Sequence, residues 1–445
     1  MRFRSIPPCR HAVFAVLPFA IACGPSVGAQ SPSLPPVTSQ WFERAKVSFR
    51  SGDFDDAWDS SRKALAGARA DDQVREFGAR VALARLDYAE ALRLTDGIES
   101  SNAHSIRGRA HWLAGDVEQA ADELEALLAD PEVKDPWARD VAGLARRGVG
   151  RHPFSMDGAS IGAVEMPTSI DRIPLGAESV VPCELDGERV LALVATGSSE
   201  VVLDSNSRHD ASWVSLRFDH LEIGDVPALV QDLSPLARQL GVPIKALLGA
   251  QLLRHAHATF DRRGDQFVVR RRDAAAPPDA SRVPLYYLRG GGMVLRASVG
   301  AKNDALAAFY VDSVRPFPLV LQDAAWQTAG IDARSLSPLP DNPGLRHGVL
   351  PILRFAGFDL AKLPAIEGLD MGDLTKELGV DLAGIVGADL LAFFRITFED
   401  DGRFIWVEPD PTLISTPSPP AVSSSTSAPA GDPGGGSPSA AARRE

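Results

Sequence analysis

Leu247-Leu248-Gly249-Ala250-Gln251-Leu252-Leu253 and Ile385-Val386-Gly387-Ala388-Asp389-Leu390-Leu391 decide how this chain is read. Each opens a 23-residue segment, ending at Val269 and Val407, and the two segments align without a gap at a constant offset of 138. Eight positions are identical: Gly, Ala, two Leu, Thr, Phe, a second Gly and the final Val. Two unrelated β segments would not match so regularly, so the chain carries two copies of one fold unit.

Upstream of each copy stands a second matching element. Val190-Leu191-Ala192-Leu193-Val194-Ala195-Thr196-Gly197-Ser198-Ser199 precedes the first, and Ala307-Ala308-Phe309-Tyr310-Val311-Asp312-Ser313-Val314 precedes the second. Both read as an apolar strand running into a tight turn, followed by another apolar run, Val201-Val202-Leu203 or Leu319-Val320-Leu321. The order is strand, turn, strand, variable middle, then an apolar-apolar-Gly strand leading into a hairpin such as Asp400-Asp401-Gly402-Arg403.

This order resembles the aspartic-peptidase fold, in which each lobe contributes an Asp-Thr/Ser-Gly turn and a later apolar-apolar-Gly strand. The resemblance implies a bilobal all-β domain of the pepsin or fused retropepsin kind. Its first lobe would span 160–272, a proline-rich linker 273–284, and its second lobe 285–410. In that family two carboxylates, one per lobe, share a proton: one activates water while the other donates to the scissile carbonyl. Here Ala195 stands where the family places its first aspartate, while Asp312 keeps the second. Thr196, Gly197 and Ser313 complete the turns, and Gly249 and Gly387 lie on the paired strands; the resemblance makes these five the binding residues. Val314 replaces the second-lobe turn glycine, adding bulk and restricting φ, so a distorted turn is expected. Half a dyad is not half an enzyme. The resulting expectation is a pseudo-peptidase that binds polypeptide. The alternatives are an active endopeptidase using Asp312 and an envelope-assembly scaffold. Asp204 reads as a solvated strand end rather than a substitute acid.

Between residues 38 and 150 a turn-and-alanine signal recurs. It reads Gly52-Asp53-Phe54-Asp55-Asp56-Ala57, then Leu86-Asp87-Tyr88-Ala89-Glu90-Ala91, then Gly115-Asp116-Val117-Glu118-Gln119-Ala120. The first two copies are 34 residues apart and the third follows after 29. This spacing resembles the tetratricopeptide repeat, whose small residues let paired helices approach closely. The resemblance implies a surface for a protein or peptide partner. The fold class is therefore all-α helical repeats followed by an all-β bilobal domain.

The 445 residues carry 46 Lys+Arg against 58 Asp+Glu, for a net charge of −12. An acidic chain is a poor general nucleic-acid binder, because phosphate neutralisation needs surplus cations. Arg2, Arg4 and Arg10 precede the short apolar run Ala12–Ala22, which reads as a secretory signal over 1–29 and implies a secreted or periplasmic protein. Ala20-Ile21-Ala22-Cys23 loosely resembles a lipobox, which would anchor the chain to a membrane through a lipidated Cys23. Cys183 reads as a small buried residue. His255 and His257 would share one face of a strand, yet no third His or Cys is near in sequence, so neither a metal nor another cofactor is expected. Arg270-Arg271-Arg272 reads as a solvated charge run and Gly290-Gly291-Gly292 as a hairpin turn. The tail over 411–445, rich in Pro, Gly, Ser and Ala, cannot bury a core.

Overall fold

The structure, a computed structural model, describes residues 34–288, 291–300, 305–340 and 342–409. The expected signal segment, with Cys9 and Cys23, and the tail 411–445 lie outside them. Among the described residues seven helices come first: α1 (Pro36–Arg50), α2 (Phe54–Gly67), α3 (Asp72–Ala84), α4 (Tyr88–Thr95), α5 (Ser101–Ala114), α6 (Val117–Leu128) and α7 (Pro136–Arg147). The recurring signal marks the start of α2, α4 and α6. Its aspartate is the N-cap: Asp53 accepts from the Asp56 N–H and Asp87 from the Glu90 N–H. Each thereby satisfies a donor that the first helical turn leaves unpaired. Asp116 takes the same place without that bond. The signal's alanines, Ala57, Ala91 and Ala120, are wholly buried where the helices of each pair meet. No helix among the described residues is long and apolar enough to cross a membrane.

The described residues after α7 form a bilobal all-β domain. Its first lobe is a seven-stranded sheet and its second an eight-stranded one. In the first, Ile244–Gly249 runs parallel to Glu188–Ala195 and antiparallel to Val201–Asp204. In the second, Leu382–Gly387 runs parallel to Ala307–Asp312 and antiparallel to Leu319–Leu321. Both apolar-apolar-Gly strands are enclosed between neighbours, which is why they read as continuous apolar runs rather than alternating ones. A six-stranded sheet joins the lobes, in the order Ser281–Pro284, Phe404–Pro409, Phe394–Glu399, Thr259–Asp261, Gln266–Arg270 and Ile161–Glu165. Residues 281–284, read from sequence as the end of the linker, thus form its edge strand.

The helices lie across both lobes. At the α1–α2 turn, Arg296 pairs with Asp53 at 3.1 Å, Phe54 packs on Tyr286 with ring centroids 4.5 Å apart, and the Asp381 N–H donates to Arg50 O at 2.7 Å. At the α5–α6 turn, Arg254 donates to Leu113 O at 2.6 Å. At the end of α7, Trp213 Nε1 donates to Leu144 O at 3.0 Å. One apolar cluster therefore holds Phe49, Phe54 and Val81 of the helices together with Ala308, Tyr310 and Leu382 of the second lobe.

Candidate functional site

The candidate site is built where Glu188–Ala195 and Ala307–Asp312 end. In the parallel pairs, Gly249 stands opposite Ala195 and Gly387 opposite Asp312, so the two registers are the same. Backbone crowding demands both glycines. A Cβ on Gly249 would meet Glu200 O at 2.1 Å, and one on Gly387 would meet Phe317 O at 1.9 Å. Each turn folds back over its neighbouring strand at that point, leaving no room for a side chain.

The two turns face each other and are joined by four reciprocal hydrogen bonds. The Thr196 N–H donates to Ser313 Oγ at 3.0 Å and the Ser313 N–H to Thr196 Oγ1 at 2.9 Å. The hydroxyls pass the pattern on, Thr196 Oγ1 to Val311 O at 3.0 Å and Ser313 Oγ to Val194 O at 2.7 Å. Both side chains are buried. Tyr310 adds a fifth bond, its hydroxyl donating to Gly197 O at 2.7 Å. Burial, and then the nearby Asp312 charge, push the Tyr310 pKa up, so the hydroxyl stays a donor.

No family model matches the chain, and no curated protein matches it. Solved structures are similar to parts of it. The aspartic proteinase from Irpex lacteus is 12% identical, with 56% of this chain and 98% of that chain covered and a TM-score of 0.38. A retropepsin-like aspartic protease from Rickettsia conorii is 18% identical over 29% of this chain and 90% of that chain, with a TM-score of 0.22. The first tetratricopeptide domain of Spaghetti (RPAP3), bound to an HSP90 peptide, is 18% identical over 25% of this chain and 93% of that chain, with a TM-score of 0.24. By the order and pairing of its own strands, the chain has an aspartic-peptidase-like β domain behind tetratricopeptide-like helices.

Across this aspartic-peptidase-like junction the side chains are unequal. Ala195 is buried and presents only a methyl group. Asp312 accepts from the Val314 N–H at 3.1 Å and pairs with Arg315 Nε, also at 3.1 Å. Val314 is not in the left-handed backbone region, and its side chain packs against the first-lobe cluster that holds Leu193 and Val202. A β-branched residue fits because the opposing lobe offers it an apolar seat.

Several further expectations change. Asp204 is buried, not solvated, and bonded by Lys245 Nζ at 3.1 Å and Asn206 Nδ2 at 3.0 Å. Burial alone would raise its pKa, but these partners hold it below the usual carboxylate range. His255 and His257 do not share a strand face: His255 ends the helix Ala250–His255 and stacks on Phe154, while His257 occupies the following turn. Burial lowers the pKa of His255 well below its usual value. Arg270 is not a freely solvated charge, because Nη1 donates to Thr259 Oγ1 at 2.6 Å. Cys183, by contrast, is buried as expected, which pushes its thiol pKa up to about 12 and leaves it a poor nucleophile. Gly291 is more than a hairpin turn residue, since a Cβ there would meet Ser199 Oγ at 2.1 Å.

Glu200, next to the first turn, is a site residue that sequence reading missed. It is buried and accepts from Trp112 Nε1 of α5 and from Gln251 Nε2, both at 3.1 Å. The helices thereby hold the segment that carries the turn. A cavity of about 370 Å³ opens beside it, lined by Asn102, Ser105 and Trp137 from the helices and by Ser199, Leu288 and Gly291 from the β domain. Neither Ala195 nor Asp312 lines it.

Proposed function

We propose that this chain is an exported polypeptide-binding protein whose aspartic-peptidase-like domain does not hydrolyse what it binds. The observation that carries this reading is the pairing of a complete cross-lobe frame with an incomplete dyad. Thr196 and Ser313 make the four reciprocal bonds that align the two turns, yet Ala195 supplies no carboxylate opposite Asp312. Activation of water by a carboxylate pair needs one acid and one base sharing a proton. A lone Asp312, engaged with Arg315, provides neither the sharing nor the second group. Removing one member of a cooperating set costs orders of magnitude in rate. The cavity beside Ser199 supports polypeptide binding, because it is walled by both the helices and the β domain. Export rests on the basic, then apolar, first 22 residues.

Digestion of an unfolded protein at acid pH tests the catalytic half of the proposal. Wild type and Asp312→Asn are expected to leave it equally intact, and cleavage lost in the variant would overturn the pseudo-enzyme reading. Ala195→Asp combined with Val314→Gly restores both turn residues and is expected to introduce cleavage. Anisotropy of a labelled, reduced and alkylated polypeptide tests binding. Affinity is expected to survive Asp312→Asn and to fall with Ser105→Trp, which fills the cavity.

A further inference from the structure

We propose that His257, Asp273 and Glu399 bind a divalent cation of the zinc class at the junction of the two lobes. The three residues come from different parts of the chain. His257 lies in the first-lobe turn before Thr259–Asp261, Asp273 follows Gln266–Arg270 at the head of the inter-lobe linker, and Glu399 ends the second-lobe strand Phe394–Glu399. Folding brings one ligand atom from each within 4.8 Å of the others. Zinc bonds to nitrogen and oxygen are about 2.0–2.2 Å long, so ligands of one ion stand about 3–4 Å apart and the three side chains would close in slightly on it.

The second observation is a close approach within the group. His257 Nδ1 lies 2.8 Å from Asp273 Oδ1, yet the nitrogen is buried and has no aligned hydrogen-bond partner. A nitrogen and a carboxylate oxygen this close, and poorly aligned for a hydrogen bond, form an ion pair that a cation bound to both atoms would replace. The surrounding bonds orient the group. Glu399 Oε1 accepts from the Ala274 N–H at 2.8 Å, Asp273 Oδ1 accepts from the Asp400 N–H at 3.1 Å, and Arg270 Nη1 donates to His257 O at 3.2 Å. Outer contacts of this kind fix ligand orientation in metal sites.

The donor set selects the ion. One imidazole with two carboxylates and no thiolate suits zinc or manganese better than calcium or magnesium, which take oxygen ligands alone. A neutral imidazole and two carboxylates carry two negative charges, which a divalent ion neutralises. Glu399 is buried, while Asp273 is 56% exposed, so the ion has a route in from solvent and a position left for water. Bound there, it would tie the head of the linker to both lobes.

Zinc titration of the metal-stripped full-length chain tests this, with bound metal counted by mass spectrometry after desalting and melting followed in parallel. One Zn²⁺ per chain and a raised melting temperature are expected, because an ion that binds the native state stabilises it. Glu399→Gln and His257→Asn are each expected to weaken binding by more than about tenfold, the cost of losing even an outer-shell partner. The amide oxygen that Glu399→Gln introduces can still accept from the Ala274 N–H, so that variant separates ligation from folding. His220→Ala removes an exposed imidazole and is expected to bind as wild type does. The proposal is overturned if wild type binds no zinc, or if the folded Glu399→Gln, His257→Asn double variant binds as much.

Discussion

Thr259 Oγ1 and Thr397 Oγ1 meet at 2.8 Å across the inter-lobe sheet, and the two residues are 138 apart, the same offset as the internal repeat. A residue that touches its own repeat equivalent lies on the pseudo-two-fold axis relating the copies, as in an isologous interface. The β domain is therefore built like a symmetric dimer with its two halves in one chain.

Because both hydroxyls are buried on that axis, Thr397→Val is expected to destabilise the fold by about 1–2 kcal/mol. Thr259→Val should cost more, since it also removes the acceptor of Arg270 Nη1. Urea unfolding monitored by tryptophan fluorescence measures both. The double variant is expected to cost less than the sum of the singles, since the contact can be lost only once.

Thr196→Val removes the acceptor of the Ser313 N–H and the donor to Val311 O while nearly keeping the side-chain shape. Each buried group left unpaired should cost about 1–3 kcal/mol, whereas Thr196→Ser keeps both bonds and should cost little. Equal melting temperatures for the Val and Ser variants would show that the cross-lobe frame contributes nothing.

Glu200 predicts a pH dependence. Burial raises its pKa, against the hydrogen bonds from Trp112 and Gln251. The folded state then holds a proton that the unfolded state releases at ordinary carboxylate pH, so stability falls as pH rises through that window. Glu200→Gln keeps an acceptor and removes the charge. Its melting temperature should exceed that of wild type at pH 8, and the difference should shrink towards pH 4.

Gly52, at the α1–α2 turn, combines φ +76° with a Cβ position 2.4 Å from Ala308 Cβ. Gly52→Val is expected to cost about 1–3 kcal/mol through backbone strain, with the steric clash added. Gly97→Ala, at φ +71° in open space, isolates the backbone part. Limited proteolysis near 148–153, between α7 and the β domain, should accelerate in the Gly52 variant alone.

Much of the architecture was legible because it rests on local rules. Asp53 and Asp87 mark helix starts since an N-cap must sit next to the donors it satisfies. Gly249 and Gly387 mark the two turns since the backbone leaves no space for a Cβ at either place. The offset even reports its own interruption. It is 138 along the Gly strands but 117 between Thr196 and Ser313, because the second lobe inserts the helix Asp323–Thr328 and the strand Ser337–Leu339 after its turn.

The amino-acid order by itself determined the helical repeats, the duplication, and the unequal pair Ala195 and Asp312, each of which depends on side-chain type and spacing along the chain. Only the tertiary structure decided burial and partnership. Glu200 is enclosed by Trp112 from 88 residues upstream, Asp204 finds Lys245, Val314 finds an apolar seat in the other lobe, and His257 leaves a supposed strand face to meet Glu399. The physical reason is the same each time. A polar or bulky side chain takes its character from the atoms that replace its water, and those atoms belong to residues remote in sequence.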